Sequence, residues 1–290
     1  MSTRPATLIG FGAVVLWALL ALFTASSGAV PPFQLAALSF GIGGTAGAIS
    51  WLWRPQAAAA MRQSIPVWAL GVGGLFGYHF LYFSALRAAP PVEASLIAYL
   101  WPLLIVLFSA LLPGAGLRVH HVIGALVGFA GAALIVTGGR GLTLDPAFAY
   151  GYGLALAAAV VWAGYSVLSR RVAQVPTDAV TGFCLATSAL ATVAHLALET
   201  TVWPDSSAQW LAILGLGLGP VGLAFYLWDV GVKKGDIQVL GAASYAAPLL
   251  STIVLVIAGQ AAPSSSVAIA CALITLGAVI AAKDMILRRG

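Results

Sequence analysis

The chain alternates between long apolar runs and short clusters of proline, glycine and charge. Cutting at those clusters leaves ten runs, at about 7–25, 33–53, 66–87, 92–112, 119–138, 150–169, 178–199, 209–231, 237–258 and 264–284. A helix needs roughly 20 apolar residues to cross the hydrocarbon core of a bilayer, and each run comes close to that length. The pattern predicts an all-α membrane protein of ten transmembrane helices.

Charge orders these runs. If the chain starts in the cytoplasm, the inside segments hold Arg4, Arg54, Arg62, Arg118, Arg170, Arg171, Lys233, Lys234, Lys283, Arg288 and Arg289, and only Arg87 and Arg140 fall outside. Basic residues collect on the cytoplasmic side of membrane proteins, so this distribution predicts an even number of spans with both termini cytoplasmic. Adding or removing one span spoils it. The first 29 residues resemble a signal peptide, with Arg4 ahead of an apolar core. Cleavage is not expected, because this segment has a counterpart later in the chain.

That counterpart belongs to an internal repeat. At an offset of 145 to 146, Trp17 falls on Trp162, Gly131 on Gly277, and Tyr99-Leu-Trp-Pro102-Leu-Leu on Tyr245-Ala-Ala-Pro248-Leu-Leu. Five spans per half is an odd number, so the halves 1–140 and 141–290 must enter the membrane in opposite directions. The loop "RAAPPVE" is nearly free of basic residues, whereas its equivalent "KKGD" is basic. Inverted repeats are typical of secondary transporters, whose halves exchange conformations to open on either side.

On these features the chain resembles the EamA-type branch of the drug/metabolite transporter superfamily. Within it, "GYHFLYFSAL" at 77–86 and "EASLIAYLWPLL" at 93–104 resemble the YddG-like bacterial aromatic amino acid exporters. The resemblance implies ten helices around a central cavity in the bacterial inner membrane, no cofactor, and export of Phe, Tyr and Trp and of other neutral amino acids.

Aromatic residues suggest where a substrate would bind. Tyr and Trp gather at membrane interfaces, as expected for Trp51, Trp53, Trp68, Trp203, Trp210 and Trp228 near run ends. Trp17, Trp101 and Trp162 instead fall near mid-run, and at about 1.5 Å per residue so do Tyr78, His79, Tyr99, Ser244 and Tyr245, with Tyr82 one turn further out. Polar tips at mid-membrane need partners or water, so these nine residues are expected to share a cavity. The alternative for each is a core aromatic bonded to a neighbouring helix. Pro102 and Pro248 each remove a helical donor and free the carbonyl one turn earlier, marking bends that serve as cavity walls, hinges or packing kinks. Pro220 is expected to bend the eighth run.

Only 7% of residues are charged. Asp229 and Glu93 lie near run ends, and Asp229 precedes Lys233 by four residues, the spacing of a helical ion pair. A site without a central charge suits a zwitterion better than a phosphorylated metabolite or a cation. His79 is the single imidazole near the midplane, so proton antiport stands as the alternative to facilitated diffusion, and a proton-coupled exporter of other small metabolites or drugs as the alternative function. His195 and Glu199 are expected at the interface, and His120 and His121 in a cytoplasmic loop.

Other classes fit poorly. There is no His-Glu-x-x-His, Gly-x-Ser-x-Gly or central carboxylate pair for an enzyme, and the mismatch of Trp101 with Ala247 argues against a repeated channel filter. The scattered basic residues form no stripe for nucleic acid. Cys184 and Cys271 lie in apolar runs without metal-ligand spacing. "GLGPVG" at 217–222 follows no strand, so it is not a dinucleotide loop. The pairs Gly43/Gly47, Gly73/Gly77, Gly124/Gly128 and Gly215/Gly219 point to close helix packing, within a monomer or a weak homodimer.

Overall fold

The computed structural model describes residues 2–113, 117–139, 144–259 and 265–287. Arg140, Arg288 and Arg289 of the charge pattern lie outside them, as does the junction between the two expected halves. Among the described residues there is no strand. Nine helical stretches are long and apolar enough to cross a membrane: Thr3–Ser26, Pro32–Leu52, Ile65–Ala88, Pro91–Leu111, Val119–Thr137, Pro146–Val172, Ala179–Leu198, Ser207–Lys234 and Ile237–Ile257. A further apolar helix, Ser265–Ala281, has 17 residues.

Four stretches are interrupted. The first divides into α1 (Thr3–Trp17) and α2 (Leu20–Ser26), and the fourth into α5 (Pro91–Ala98) and α6 (Trp101–Phe108). The eighth runs as α10 (Ser207–Leu218), a π-helical turn at Gly219–Leu223, and α11 (Ala224–Lys234). The ninth divides into α12 (Ile237–Ala243) and α13 (Ala246–Ile257). The breaks at Tyr99–Leu100 and Ser244–Tyr245 fall just before Pro102 and Pro248, where the ring crowds the carbonyls of Ala98 and Ser244.

Proline and extended backbone set several helix starts. In the second stretch α3 (Pro32–Ile49) opens on Pro32, and α4 (Ile65–Ala88) follows Ser64 with Pro66 in its first turn. Proline fits there because the missing N–H has no partner in the first turn of a helix. Ala89, ahead of Pro90, is extended at φ −150° and ψ 161°, which ends α4 and lets α5 begin. Gly138 takes φ +62° to close α7 (Val119–Thr137), a left-handed turn that suits glycine.

The helices pair closely: α7 with α14 (Ser265–Ala281), α3 with α9 (Ala179–Leu198), α4 with α8 (Ala149–Leu168), and α1 with α11. At the α1–α11 crossing a Cβ on Gly10 would sit 2.7 Å from the Gly231 Cα, so only glycine permits this approach. Gly124 and Gly277 meet in the same way between α7 and α14. Gly43 packs against Gly217 and Gly222, but nothing approaches Gly73, so the Gly73/Gly77 pair does not mark tight packing within the chain. Large apolar side chains such as Leu8, Leu126, Val193, Leu211 and Val279 are exposed, as on helices bordered by lipid.

Two polar networks fasten the helix ends. Glu199 accepts the N–H groups of Phe33 and Gln34 at the start of α3, pairs with Arg87 at the end of α4, and meets His195 Nδ1 at 2.9 Å. Glu199 and His195 both lie at the end of α9, as the sequence suggested for His195, and their side chains are buried within the protein there. At the other end Asp229 and Lys233 pair at 2.8 Å as expected, and Thr177 Oγ1 donates to Asp229 while Lys233 Nζ donates to the Val175 carbonyl. Both charges are buried, and these partners compensate part of the desolvation that each undergoes.

Candidate functional site

Four indoles close one end of the central space. Trp17 ends α1, Trp101 begins α6, Trp162 lies on α8 and Trp228 on α11. Their ring centroids are separated by 5.0 Å for Trp17–Trp228, 5.8 Å for Trp17–Trp162, 5.8 Å for Trp101–Trp228 and 6.1 Å for Trp17–Trp101. Most of these contacts are tilted or edge-on, the geometry that sets the positive ring edge against the negative face. Trp17 Nε1 donates to the Pro220 carbonyl at 3.1 Å, and Trp228 Nε1 donates to Ser166 Oγ at 3.1 Å. Pro220 lies within the π-turn. The N–H groups of Trp101 and Trp162 have no acceptor among the described residues.

Above this floor is a cavity of about 470 Å³. Its walls carry Phe40 on α3, Tyr78, His79, Tyr82 and Phe83 on α4, Tyr99 at the α5–α6 break, Phe225 on α11, and Ala247 and Ser251 on α13. The cavity reaches exposed Leu20, Ala21 and Thr24 on α2 and opens there, at the end that the charge pattern puts outside.

Tyr78 and Tyr82, one turn apart, stack with centroids 5.8 Å apart and planes 10° from parallel. The Tyr82 and Ser95 hydroxyls are 3.0 Å apart, tying α4 to α5. His79 Nδ1 lies 2.7 Å from the Leu75 carbonyl. A carbonyl only accepts, so Nδ1 carries the proton and Nε2 of the neutral ring keeps a lone pair. Phe40 meets the imidazole edge-on at 5.0 Å and Tyr78 at 5.2 Å. No lysine, arginine, aspartate or glutamate among the described residues lines the cavity.

Seven of the nine residues expected to share a cavity line this one: Trp17, Tyr78, His79, Tyr82, Tyr99, Trp101 and Trp162. Ser244 and Tyr245 do not. The Ser244 hydroxyl bonds back to the Leu240 carbonyl at 2.7 Å. Tyr245 is fully buried against Phe129, and its hydroxyl accepts the Leu103 N–H at 3.1 Å. Leu103 stands in the first turn of α6, where the break leaves its donor without a partner in its own helix. Tyr245 therefore supports the α5–α6 break from behind. Pro102 and Pro248 are also buried and off the cavity surface.

Sequence reasoning missed Phe40, Phe83 and Phe225, which carry no polar tip to distinguish them from lipid-facing phenylalanines. It also assigned Trp228 to the interface, where the structure buries it fully. Trp228 lies six residues before the end of α11, about 9 Å from it at 1.5 Å per residue. Trp53, Trp203 and Trp210 are exposed near helix ends, and Trp68 packs on Phe183.

His120 and His121 fall in the first turn of α7, not in a loop, and approach Asp284 on α15 (Lys283–Leu287). One ring nitrogen of each histidine and a carboxylate oxygen of Asp284 lie within 4.8 Å of one another. Arg118 pairs with Asp284, and His121 Nδ1 accepts the Arg118 N–H at 3.2 Å, which puts the ring proton on Nε2.

The model of the EamA-like transporter family matches residues 4–137 and again residues 149–282. The aromatic amino acid exporter YddG of Ancylobacter novellus is 58% identical over 283 residues, spanning 97% of this chain and 98% of that protein. The aromatic amino acid exporter YddG of Escherichia coli is 27% identical, over 87% of this chain and 88% of that one. A solved crystal structure, 56% identical, superposes over the whole of both chains with a TM-score of 0.93. With two family matches that together span most of its length, the chain belongs to the EamA-like transporter family and is a multi-pass protein of the bacterial inner membrane.

Proposed function

We propose that the protein exports aromatic amino acids, and other neutral ones, by alternating access in a ten-helix bundle of two inverted halves, residues 1–140 and 141–290, with both termini cytoplasmic. The two separate family matches and the positions of the basic residues support this arrangement. Relatives named as exporters of aromatic amino acids support the substrate class and a non-enzymatic role.

One observation carries the reading: the cavity is lined by aromatic rings and hydroxyls, without a formal charge among the described residues. A phosphorylated metabolite or a cation would lose its hydration there without gaining a counter-ion. A zwitterion brings both charges, and the wall offers a partner for each. Trp101 and Trp162 N–H groups and the Tyr78 and Tyr99 hydroxyls are donors for a carboxylate. His79 Nε2 is an acceptor for an ammonium, which the surrounding ring faces also favour. About 470 Å³ falls within the usual range for a small-molecule site.

Facilitated diffusion is the coupling mode we favour. With its donor engaged by Leu75, His79 acts as a neutral acceptor and completes the site without changing charge. Proton antiport is the second reading, and it requires His79 Nε2 to gain and lose a proton during the cycle.

Ligand-dependent thermal stability of the detergent-solubilised protein tests the substrate class. Tryptophan and phenylalanine should raise Tm in a saturable way, by mass action on the folded state, while glutamate and lysine should not. Equal stabilisation by the charged amino acids would overturn the assignment.

A further inference from the structure

We propose that Ala247 sets the size of side chain the site accepts, because its small methyl gives the substrate's ring a seat against Trp17. This rests on the transport reading above and assigns one residue within it.

Trp17 matches Trp162 at an offset of 145, and Trp101 matches Ala247 at 146. α6 packs on α8 as α13 packs on α1, so the two positions face matching partners. In the first half the position is filled: the Trp101 indole lies 6.3 Å from Trp162 and 6.1 Å from Trp17. In the second half Ala247 stands in the same packed cluster as these three tryptophans and also lines the cavity.

One turn further along α13 the difference repeats. Ser251 lines the cavity, while Ile105, its match in the first half, is fully buried. Residues four apart share a helix face, so Ala247 and Ser251 together form a low strip of wall. An aromatic ring resting on that strip would meet Trp17 as Trp101 does, at the roughly 4.5–7 Å favoured by aromatic pairs. The ligand would supply the ring that the second half lacks.

Enlarging residue 247 should therefore penalise substrates in order of side-chain size. The experiment is efflux of tryptophan, phenylalanine and leucine from proteoliposomes of wild type, Ala247→Leu and Ala247→Val. Because a few methylenes of misfit in an apolar pocket shift discrimination by roughly ten-fold or more, Ala247→Leu should raise the KM ratio of tryptophan to leucine by at least about ten-fold. Ala247→Val should move the ratio the same way by less, and it carries the test if the leucine variant fails to insert.

An unchanged ratio in inserted protein would overturn the proposal while leaving the transport reading intact, as would an equal loss for all three substrates. Failure of the wild type to release any of them would overturn both.

Discussion

Tyr99 and Tyr245 head the same Tyr-x-x-Pro-Leu-Leu segment, yet one lines the cavity and the other holds a helix break together. Depth in the membrane was legible for both, because it depends on position within a run. The direction a side chain takes around its helix was not, since it depends on which neighbour packs against it. Gly128 decides the matter for Tyr245, as a Cβ there would lie 2.8 Å from the ring. Removing the two hydroxyls should therefore have different consequences. Tyr245→Phe leaves the Leu103 N–H unpaired and should cost about 1–3 kcal/mol, seen as a lower Tm. Tyr99→Phe should leave Tm near that of the wild type, and Tyr99→Ala or Trp101→Ala should cut the rate of amino acid release about ten-fold or more with membrane insertion retained. Wild-type transport by inserted Tyr99→Ala would remove it from the site.

At the scale of the element, the broken helices matter most. Proline made the breaks at residues 99–100 and 244–245 legible, and marked the π-turn that holds Pro220. No proline marks the break at Ala18–Leu19, which therefore went unread. Trp17 sits at that break and hydrogen-bonds to the Pro220 carbonyl, so two irregular elements support each other across the floor. The extra residue of a π-turn also rotates the helix that follows it about its axis, and both Phe225 and Trp228 on α11 face inward, Trp228 against expectation. Below the floor α11 carries the buried Asp229–Lys233 pair. Asp229→Ala leaves Lys233 buried without its counter-charge and should cost about 3–5 kcal/mol, measured as a fall in the unfolding temperature. A change within about 0.5 kcal/mol, ordinary for a surface substitution, would show that the pair contributes little.

For the whole molecule, run lengths and the spacing of basic residues already described a polytopic helical protein. Nine described stretches meet the length of a span, and the tenth run corresponds to the shorter Ser265–Ala281. Less visible was how the two ends are held. Glu199 gathers α3, α4 and the end of α9 at the cavity's open end through contacts more than 100 residues apart in sequence. Such pairings leave no periodic trace, and only the spacing of His195 and Glu199 hinted at one of them. Glu199→Ala should lower the unfolding temperature clearly, because it leaves helix donors and Arg87 without their acceptor. Full retention of wild-type Tm would contradict that role.

The central claim is that an uncharged aromatic cavity carries zwitterionic aromatic amino acids across the membrane. Efflux of preloaded phenylalanine and tryptophan from proteoliposomes, with and without an imposed pH gradient, tests it most directly. Saturable release of both is expected without a gradient, as is its loss in Trp101→Ala. Absence of release under either condition would contradict the claim; release only under a gradient would contradict facilitated diffusion and assign His79 to proton coupling.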